Sequence, residues 1–384
     1  MTLRVCAVTS TRADWGLLSP VLALLRDDEA FHLDIIATGQ HLAVDAGATA
    51  REITNDGFVI ARAVDMRLGD DSPAGVTASF AAATKGFGEA LAQLAPDMLL
   101  VLGDRYEILG AVMAATLARV PVAHLIGGDI TEGATDDAFR HAMTKMSHLH
   151  FVTTEEAARR VRQMGEDPAH IFVVGSPGLD KIRTTTLLSR DDFFRHVGLA
   201  PRAKNLMVTF HPETLSADTV AHCAEMLSAL DRLGPDVGLV FSGANADVEG
   251  ATIGRLIADF VNAHANAVLH PSLGSLRYFS ALKHVDAVVG NSSSGLYEAP
   301  SFATATVNIG DRQKGRPRAA SVIDVAPDQG AIHAAVLKAV GMDCQGVTNP
   351  YGDGHAAERI VAALKTVCDP RQLLKKRFFD WPAA

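Results

Sequence analysis

Short apolar runs, each closed by a glycine or a polar turn and each followed by a segment of helical spacing, recur in two series along this chain. That recurrence limits its fold more than any other feature. The first series is LRVCAVTS, HLDIIATGQHL, DMLLVLGDRYE, VPVAHLIGGD, HLHFVTT and HIFVVG; the second is NLMVTF, VGLVFSG, AVLHPS, AVVGNSSSG and TATVNIGDRQKGR. Strands that are apolar throughout are buried on both faces, which is the habit of parallel sheets. Alternation with helices then predicts doubly wound α/β architecture, and two series predict two such domains. The expected boundaries are a first domain over 1–178, a crossover over 179–204 and a second domain over 205–368. An amphipathic tail over 369–384 is expected to pack back on the body. The first helix is expected to start near Leu17, from the spacing of Leu18, Val21, Leu22 and Leu25, and a longer one to run from Val76 to Leu94.

A length of 384 residues agrees with two cores rather than one. The net charge of -9, without any run of Lys or Arg, leaves no electrostatic footprint for nucleic acid. No apolar run is long enough to span a membrane and no signal-peptide pattern opens the chain, so the expected compartment is the cytoplasm. Cys6, Cys223, Cys344 and Cys368 are scattered without metal-ligand spacing, and neither series opens with GxGxxG. Neither a metal nor a nicotinamide cofactor is expected.

Open α/β sheets place their ligands at the C-terminal ends of their strands. Several strand ends here are rich in chemistry. Asp104, Arg105 and Glu107 follow one apolar run; Asp129, Glu132, Asp136 and Asp137 follow the next, with Arg140, His141 and Lys145 on the ensuing helix. Asp136–Arg140 and Asp137–His141 have the spacing of ordinary i,i+4 pairs. Asp104 and Asp129, beside glycines, do not. Thr9, Ser10, Thr11 and Arg12 precede a helix and combine N–H groups, hydroxyls and a guanidinium suited to an anion; a capped helix with a surface Arg is the ordinary alternative. His211 follows a strand directly, ahead of Pro212 and Glu213. Gly290-Asn291-Ser292-Ser293-Ser294-Gly295 is a small hydroxyl-rich turn suited to phosphate, with Glu298 just beyond it. The basic stretch from Arg312 to Arg318, in an acidic chain, suits a diphosphate.

Together these motifs resemble those of the hydrolysing UDP-N-acetylglucosamine 2-epimerases of bacterial sialic-acid synthesis and, more distantly, the non-hydrolysing 2-epimerases. The resemblance runs through TSTRADWG, ATGQHL, VLGDRYEI, HLIGGDITEGATDDAFRHAMTKMSHLHF, GSPGLDKI, FHPETLS, GNSSSGLYEAPS, NIGDRQKGRPRAASVIDV and NPYGDGHAAERI. It implies two Rossmann-like domains in a GT-B-type arrangement with the active site in the interdomain cleft, no cofactor, no metal, and a homo-oligomer, dimer or tetramer. The implied reaction converts UDP-N-acetylglucosamine and water to N-acetylmannosamine and UDP through a 2-acetamidoglucal. The same chemistry on UDP-2,4-diacetamido-2,4,6-trideoxyglucose is the alternative, followed by a non-hydrolysing epimerase or a GT-B glycosyltransferase.

Position by position, the resemblance implies catalytic roles for Asp104, Asp129, Asp136 and His211. It implies contacts to UDP or sugar from Arg12, Gln40, His41, Arg105, Arg140, Ser292, Ser293, Glu298 and Arg312. The chain departs from many relatives in carrying Asp at 129 where they have Glu, and Gly at 16 where some have Ser.

Overall fold

A computed structural model describes residues 2–43, 49–70, 72–131, 135–212, 218–243 and 250–380. The chain divides into two units, residues 1–181 with 351–384, and residues 182–350.

The first unit opens with β1 (Leu3–Thr9), α1 (Arg12–Arg26), β2 (Phe31–Thr38), α2 (Ala50–Asn55), β3 (Arg62–Val64) and α3 (Pro73–Leu94). It continues through β4 (Met98–Leu102), α4 (Tyr106–Ala118), β5 (Val122–Leu125), α5 (Thr135–Met146), β6 (Leu149–Val152), α6 (Glu155–Gln163) and β7 (Ile171–Val173). All strand pairs are parallel, in the order β3-β2-β1-β4-β5-β6-β7. The order reverses between β1 and β4, so the turns that follow these two strands lie side by side.

The passage between units falls within α7 (Gly178–Thr184). The second unit holds α8 (Arg190–Val197), β8 (Lys204–Thr209), α9 (Thr219–Asp231), β9 (Val237–Ser242), α10 (Gly250–Ala263), β10 (Ala267–His270) and α11 (Gly274–His284). β11 (Ala287–Gly290), α12 (Ser294–Tyr297), β12 (Ala305–Ile309), β13 (Val322–Val325) and α13 (Gln329–Ala339) complete it. Its strands are again all parallel, ordered β10-β9-β8-β11-β12-β13, and reverse between β8 and β11. The final helix, α14 (Ala356–Lys365), returns to the first unit.

Each sheet is covered on both faces. In the first unit Leu18, Leu22 and Leu25 of α1 pack with Ile360 and Leu364 of α14 on one face, while Phe87 of α3 and Ile108 and Val112 of α4 fill the other. In the second, Met226 and Leu230 of α9 pack with Ile332 of α13 on one face, and Phe193 of α8 packs with Leu282 of α11 on the other.

The domain limits expected from sequence differ from this division in two places. Residues 182–204 are not a free crossover: Phe193, Phe194, Val197 and Leu199 are core residues of the second unit. Residues 351–368 belong to the first unit. Asp180 accepts hydrogen bonds from Ala356 N (3.1 Å) and Ala357 N (2.8 Å), capping α14. Tyr351 O accepts from Ser176 N at 2.7 Å beside Gly175, where a Cβ would stand 3.0 Å from that oxygen. A helical apolar stripe does not name its partner surface, so periodicity alone assigns α14 to the domain it follows in sequence.

The start of α1 also differs. It begins at Arg12, because Thr11 and Asp14 form a capping box. The apolar spacing becomes visible only later, since the first turn of the helix is directed to other work.

Candidate functional site

In the first unit the site residues gather on the turns after β1, β4 and β5 and on α5. Arg140 is its hub. It is 5% exposed, and its guanidinium donates to the Asp104 carboxylate, to Asp129 O (2.9 Å), to Asp137 Oδ1 (3.1 Å) and to Thr131 Oγ1 (3.1 Å). The helix thereby fastens the ends of two adjacent strands. Asp129 is further held by Thr153, whose hydroxyl donates to Asp129 Oδ1 at 2.8 Å. The backbone leading to Asp129 is strained: Ile126, a β-branched residue, has φ +64°. Such outliers cost about 1–3 kcal/mol and persist where the surroundings over-determine them. Gly128 follows, where a Cβ would meet Ala157 O at 2.5 Å, so only glycine fits.

The i,i+4 reading fails for Asp136. Arg140 turns to Asp137 instead, and Asp137 Oδ2 lies 3.4 Å from His141 Nε2. The Asp136 carboxyl stands without that partner. Its removal from water, and then the nearby Asp104 and Glu107, raise its pKa, while Arg105 and Arg140 pull the other way. A carboxyl group biased towards its protonated form beside other carboxyl groups is the arrangement that separates acid from base.

The anion site expected at the first turn is occupied by the chain itself. The Asp14 carboxylate accepts from the backbone N–H groups of Ser10 (2.7 Å), Thr11 (2.8 Å) and Trp15 (2.8 Å), and from the hydroxyls of Thr9, Ser10 and Thr11. Arg12 remains exposed, paired with Glu52 at 2.5 Å. His41 is likewise corrected. It is fully buried, with its ring nitrogens on Thr9 Oγ1 (3.0 Å) and Thr49 Oγ1 (2.8 Å), and burial lowers its pKa. It braces the turns after β1 and β2, with both ring nitrogens engaged by the chain; Gln40 beside it is exposed. Arg140, expected at the sugar, is held by the chain: its terminal nitrogens bond to Asp104, Asp129 O, Asp137 and Thr131.

In the second unit Asn291 plays the joining role. Its side chain accepts from His211 N at 2.7 Å and donates to His211 O at 2.8 Å. Its own carbonyl accepts from Arg312 (3.2 Å) and from Gln313 Nε2 (2.9 Å). One buried asparagine therefore fixes the turns after β8, β11 and β12. Gly290 precedes it at φ +135°, where a Cβ would lie 1.8 Å from Thr209 O. Ser293 does not cap α12 with its side chain, and its hydroxyl makes no hydrogen bond to the described residues. Burial pushes the Glu298 pKa up to about 7, and its Oε2 has no hydrogen-bond partner among the described residues. Tyr278, its neighbour, bonds to Ser294 Oγ and is raised by burial and by the Glu298 charge.

The basic stretch divides. Arg316 donates to Gln313 Oε1 (2.6 Å), Arg318 pairs with Asp324 (2.6 Å) and Lys314 with Asp311 (3.6 Å). Only Arg312 stands against the Asn291 turn. Glu132 and Glu213 lie outside the described residues. Among those described, no group of three or more His, Cys, Asp or Glu is arranged to hold a metal ion, and no helix is long and apolar enough to cross a membrane.

Sequence reasoning gave no role to Asp14, Glu107, His124, Asn291 or Gln313, although Glu107 and Asn291 stand in the motifs it singled out. The Thr11-x-x-Asp14 spacing carried the first. His124 sits on β5 inside the sheet and lies 2.8 Å from Gly103 O; burial lowers its pKa to about 4, so it is neutral and holds the turn before Asp104. Nothing in a strand pattern signals such a contact.

Comparison with known proteins gives a consistent result. The UDP-N-acetylglucosamine 2-epimerase family matches residues 23–365. A hydrolysing GDP/UDP-N,N'-diacetylbacillosamine 2-epimerase of Campylobacter jejuni is 38% identical over 84% of this chain and 84% of its own. A hydrolysing UDP-N,N'-diacetylbacillosamine 2-epimerase of Legionella pneumophila is 35% identical over 98% of this chain and 99% of its own. The crystal structure of UDP-GlcNAc 2-epimerase from Neisseria meningitidis bound to UDP-GlcNAc has the same fold, with a TM-score of 0.75 and 17% identity over 95% of this chain and 100% of that one. With the family matched across most of its length and these relatives above 30% identity, this chain belongs to the UDP-N-acetylglucosamine 2-epimerase family.

Proposed function

We propose that this protein is a hydrolysing 2-epimerase that releases UDP from a UDP-2-acetamido sugar and yields the free 2-epimer. A carboxylate takes the C2 proton while the C1–O bond breaks, its electron pair leaving with the UDP β-phosphate and a C1=C2 double bond forming. Water then adds its oxygen to C1, giving up a proton to a carboxylate, as an acid protonates C2 from the opposite face. The observation that carries this reading is the cluster of Asp104, Asp129 and Asp136 on the ends of adjacent strands and on α5, with Asp136 biased towards the protonated form. Asp104 and Asp129 are the candidates for base, and Asp136 for the acid. His211, Ser292, Ser293 and Arg312 receive the charge that develops on the departing diphosphate. Arg12 and Arg105 assist them, Gln40 lies towards the sugar, and Glu298 accepts from ribose hydroxyls.

For the substrate we favour UDP-N,N'-diacetylbacillosamine, which is UDP-2,4-diacetamido-2,4,6-trideoxyglucose. The names of the Campylobacter and Legionella relatives support it. UDP-N-acetylglucosamine is the second reading, supported by the ligand of the Neisseria structure.

Purified protein incubated with each sugar nucleotide in deuterated water, and followed by NMR, tests both. Free UDP with a manno-configured sugar deuterated at C2 is expected. No turnover of either substrate, or an intact UDP-linked epimer as product, sinks the proposal. The ratio of kcat/KM for the two sugars decides between them.

A further inference from the structure

Arg105 is the N-cap residue of α4, and Glu107 is the second residue of that helix. The Glu107 side chain is turned inward and is 2% exposed; that of Arg105 is 42% exposed. Glu107 Oε1 accepts from Arg105 Nε at 2.5 Å. The other carboxylate oxygen, Oε2, is buried and has no hydrogen-bond partner among the described residues. Gly39, after β2, closes the space: a Cβ there would stand 3.6 Å from Glu107 Oε1 and 3.0 Å from Ser10 O. Glu107 thus fills the seam where the turns after β1, β2 and β4 converge.

An acidic side chain in such a seam is expensive, because its desolvation is only partly offset by one ion pair. An apolar residue of similar size would fill the space without leaving an oxygen unpaired. What the carboxylate supplies is the aim of Arg105. Binding through Nε leaves both terminal nitrogens of the guanidinium without a hydrogen bond to the described residues. They form a planar fork, the geometry that matches two oxygens of a phosphate group. Asp14 and Asp136 also lie close enough to act on the Arg105 charge, so an unanchored side chain would be drawn to them.

We propose that Glu107 is a positioning residue, which by holding Nε of Arg105 fixes its two free terminal nitrogens for the diphosphate of the UDP-sugar. This rests on the reading of the protein as a UDP-sugar epimerase. Arg105 is the residue that touches ligand; Glu107 acts only through it.

A double-mutant cycle isolates that dependence. UDP affinity by calorimetry and kcat/KM are measured for wild type, Glu107→Ala, Arg105→Ala and the double variant. Loss of an aimed charge-assisted contact is expected to weaken UDP by about tenfold in Glu107→Ala, and the double variant is expected to be no worse than Arg105→Ala. Glu107→Gln, which keeps an acceptor for Nε, is expected to recover most of the affinity. Glu107→Ala with wild-type affinity and turnover overturns the proposal. So do penalties that add in the double variant, which mark a structural role independent of Arg105. Where melting shows that Glu107→Ala is unfolded, Glu107→Gln and Glu107→Met carry the same cycle. The wild type separates the two ideas: a chain that binds UDP but turns over neither sugar fails the functional reading, while the calorimetric cycle still decides the role of Glu107.

Discussion

The side-chain amide of Asn291 closes on both backbone polar atoms of His211, 80 residues away in sequence, accepting from its N–H at 2.7 Å and donating to its carbonyl at 2.8 Å. The same residue receives Arg312 and Gln313 on its own carbonyl. A single buried amide therefore sets the relative positions of a candidate leaving-group histidine and a candidate diphosphate arginine. Asn291→Ala removes both of these hydrogen bonds, at a cost of about 1–3 kcal/mol. The expected outcome is a lower Tm together with weaker UDP binding by calorimetry. Asn291→Asp keeps one acceptor but sets a carboxylate against the His211 carbonyl, and is expected to be the worse of the two. A variant with unchanged UDP affinity would show that the clamp does not serve the ligand.

Asp104→Asn is expected to lower kcat by about 10²–10⁴-fold, the usual contribution of a positioned acid or base, while UDP still binds. It also strips the charge from the partner of Arg140, which is 5% exposed, so Tm is expected to fall. Arg140→Lys is no remedy, because an ammonium cannot span Asp104, Asp137 and the Asp129 carbonyl at once. Steady-state kinetics beside thermal melts separate the two effects; near-normal turnover in Asp104→Asn removes it from the chemistry.

Asp136 has a raised folded pKa, through partial burial and then its carboxylate neighbours. An acid of this kind binds its proton more tightly in the folded chain. It therefore opposes folding above its folded pKa, and this effect disappears as pH falls below the unfolded value. Solvent screening keeps the effect small at so exposed a residue. Asp136→Asn is expected to stabilise the fold slightly at neutral pH, by less than about 0.5 kcal/mol and with a small rise in Tm, and to give no gain at acid pH. Turnover is expected to be lost. Melting curves across pH check the sign, and a gain that grows on acidification contradicts it.

The C-terminal tail is fastened to the helix that bears the candidate acid. Lys376 Nζ donates to Lys145 O and Ser147 O (2.6 Å each), at the C-terminal end of α5, and pairs with Glu166 (2.6 Å). Burial would raise the Glu166 pKa, but hydrogen bonds from His150, Lys145 and Lys376 bring it down to about 2. Its stabilising contribution is present above the ordinary carboxyl pKa and fades as pH falls from about 4.5 towards 2. Lys376→Met is expected to cost about 1.5–3 kcal/mol at neutral pH, the range for hydrogen bonds to charged groups. The difference from wild type narrows through the acid window. Acid unfolding followed by circular dichroism measures it, and a pH-independent difference would assign the loss to packing alone.

Much of the fold was legible because its strands are apolar throughout and its helices are amphipathic, so the two series of elements announce two parallel sheets. The strand-end positions of Asp104, Asp129, His211, Ser293 and Arg312 were legible for the same reason. The roles of His41, Asp14, Glu107 and Asn291 were not. A histidine in a polar turn reads alike whether its ring faces a ligand or, as here, lies between Thr9 and Thr49. Equally, the first turn reads as an anion site until Asp14 is seen to fill it.

By itself the sequence determined the element types, the doubly wound class, the family motifs and the acidic character of the strand ends, since these follow from local periodicity and residue chemistry. The tertiary structure alone decided that β1 lies beside β4 and β8 beside β11, which sets the turn after β1 beside the turn after β4, and His211 against Asn291. It alone returned α14 to the first unit and joined Arg140 to Asp104. The reason is physical: strand order and side-chain partnership depend on burying surfaces that lie far apart along the chain, and a local pattern states which face must be covered without stating by what.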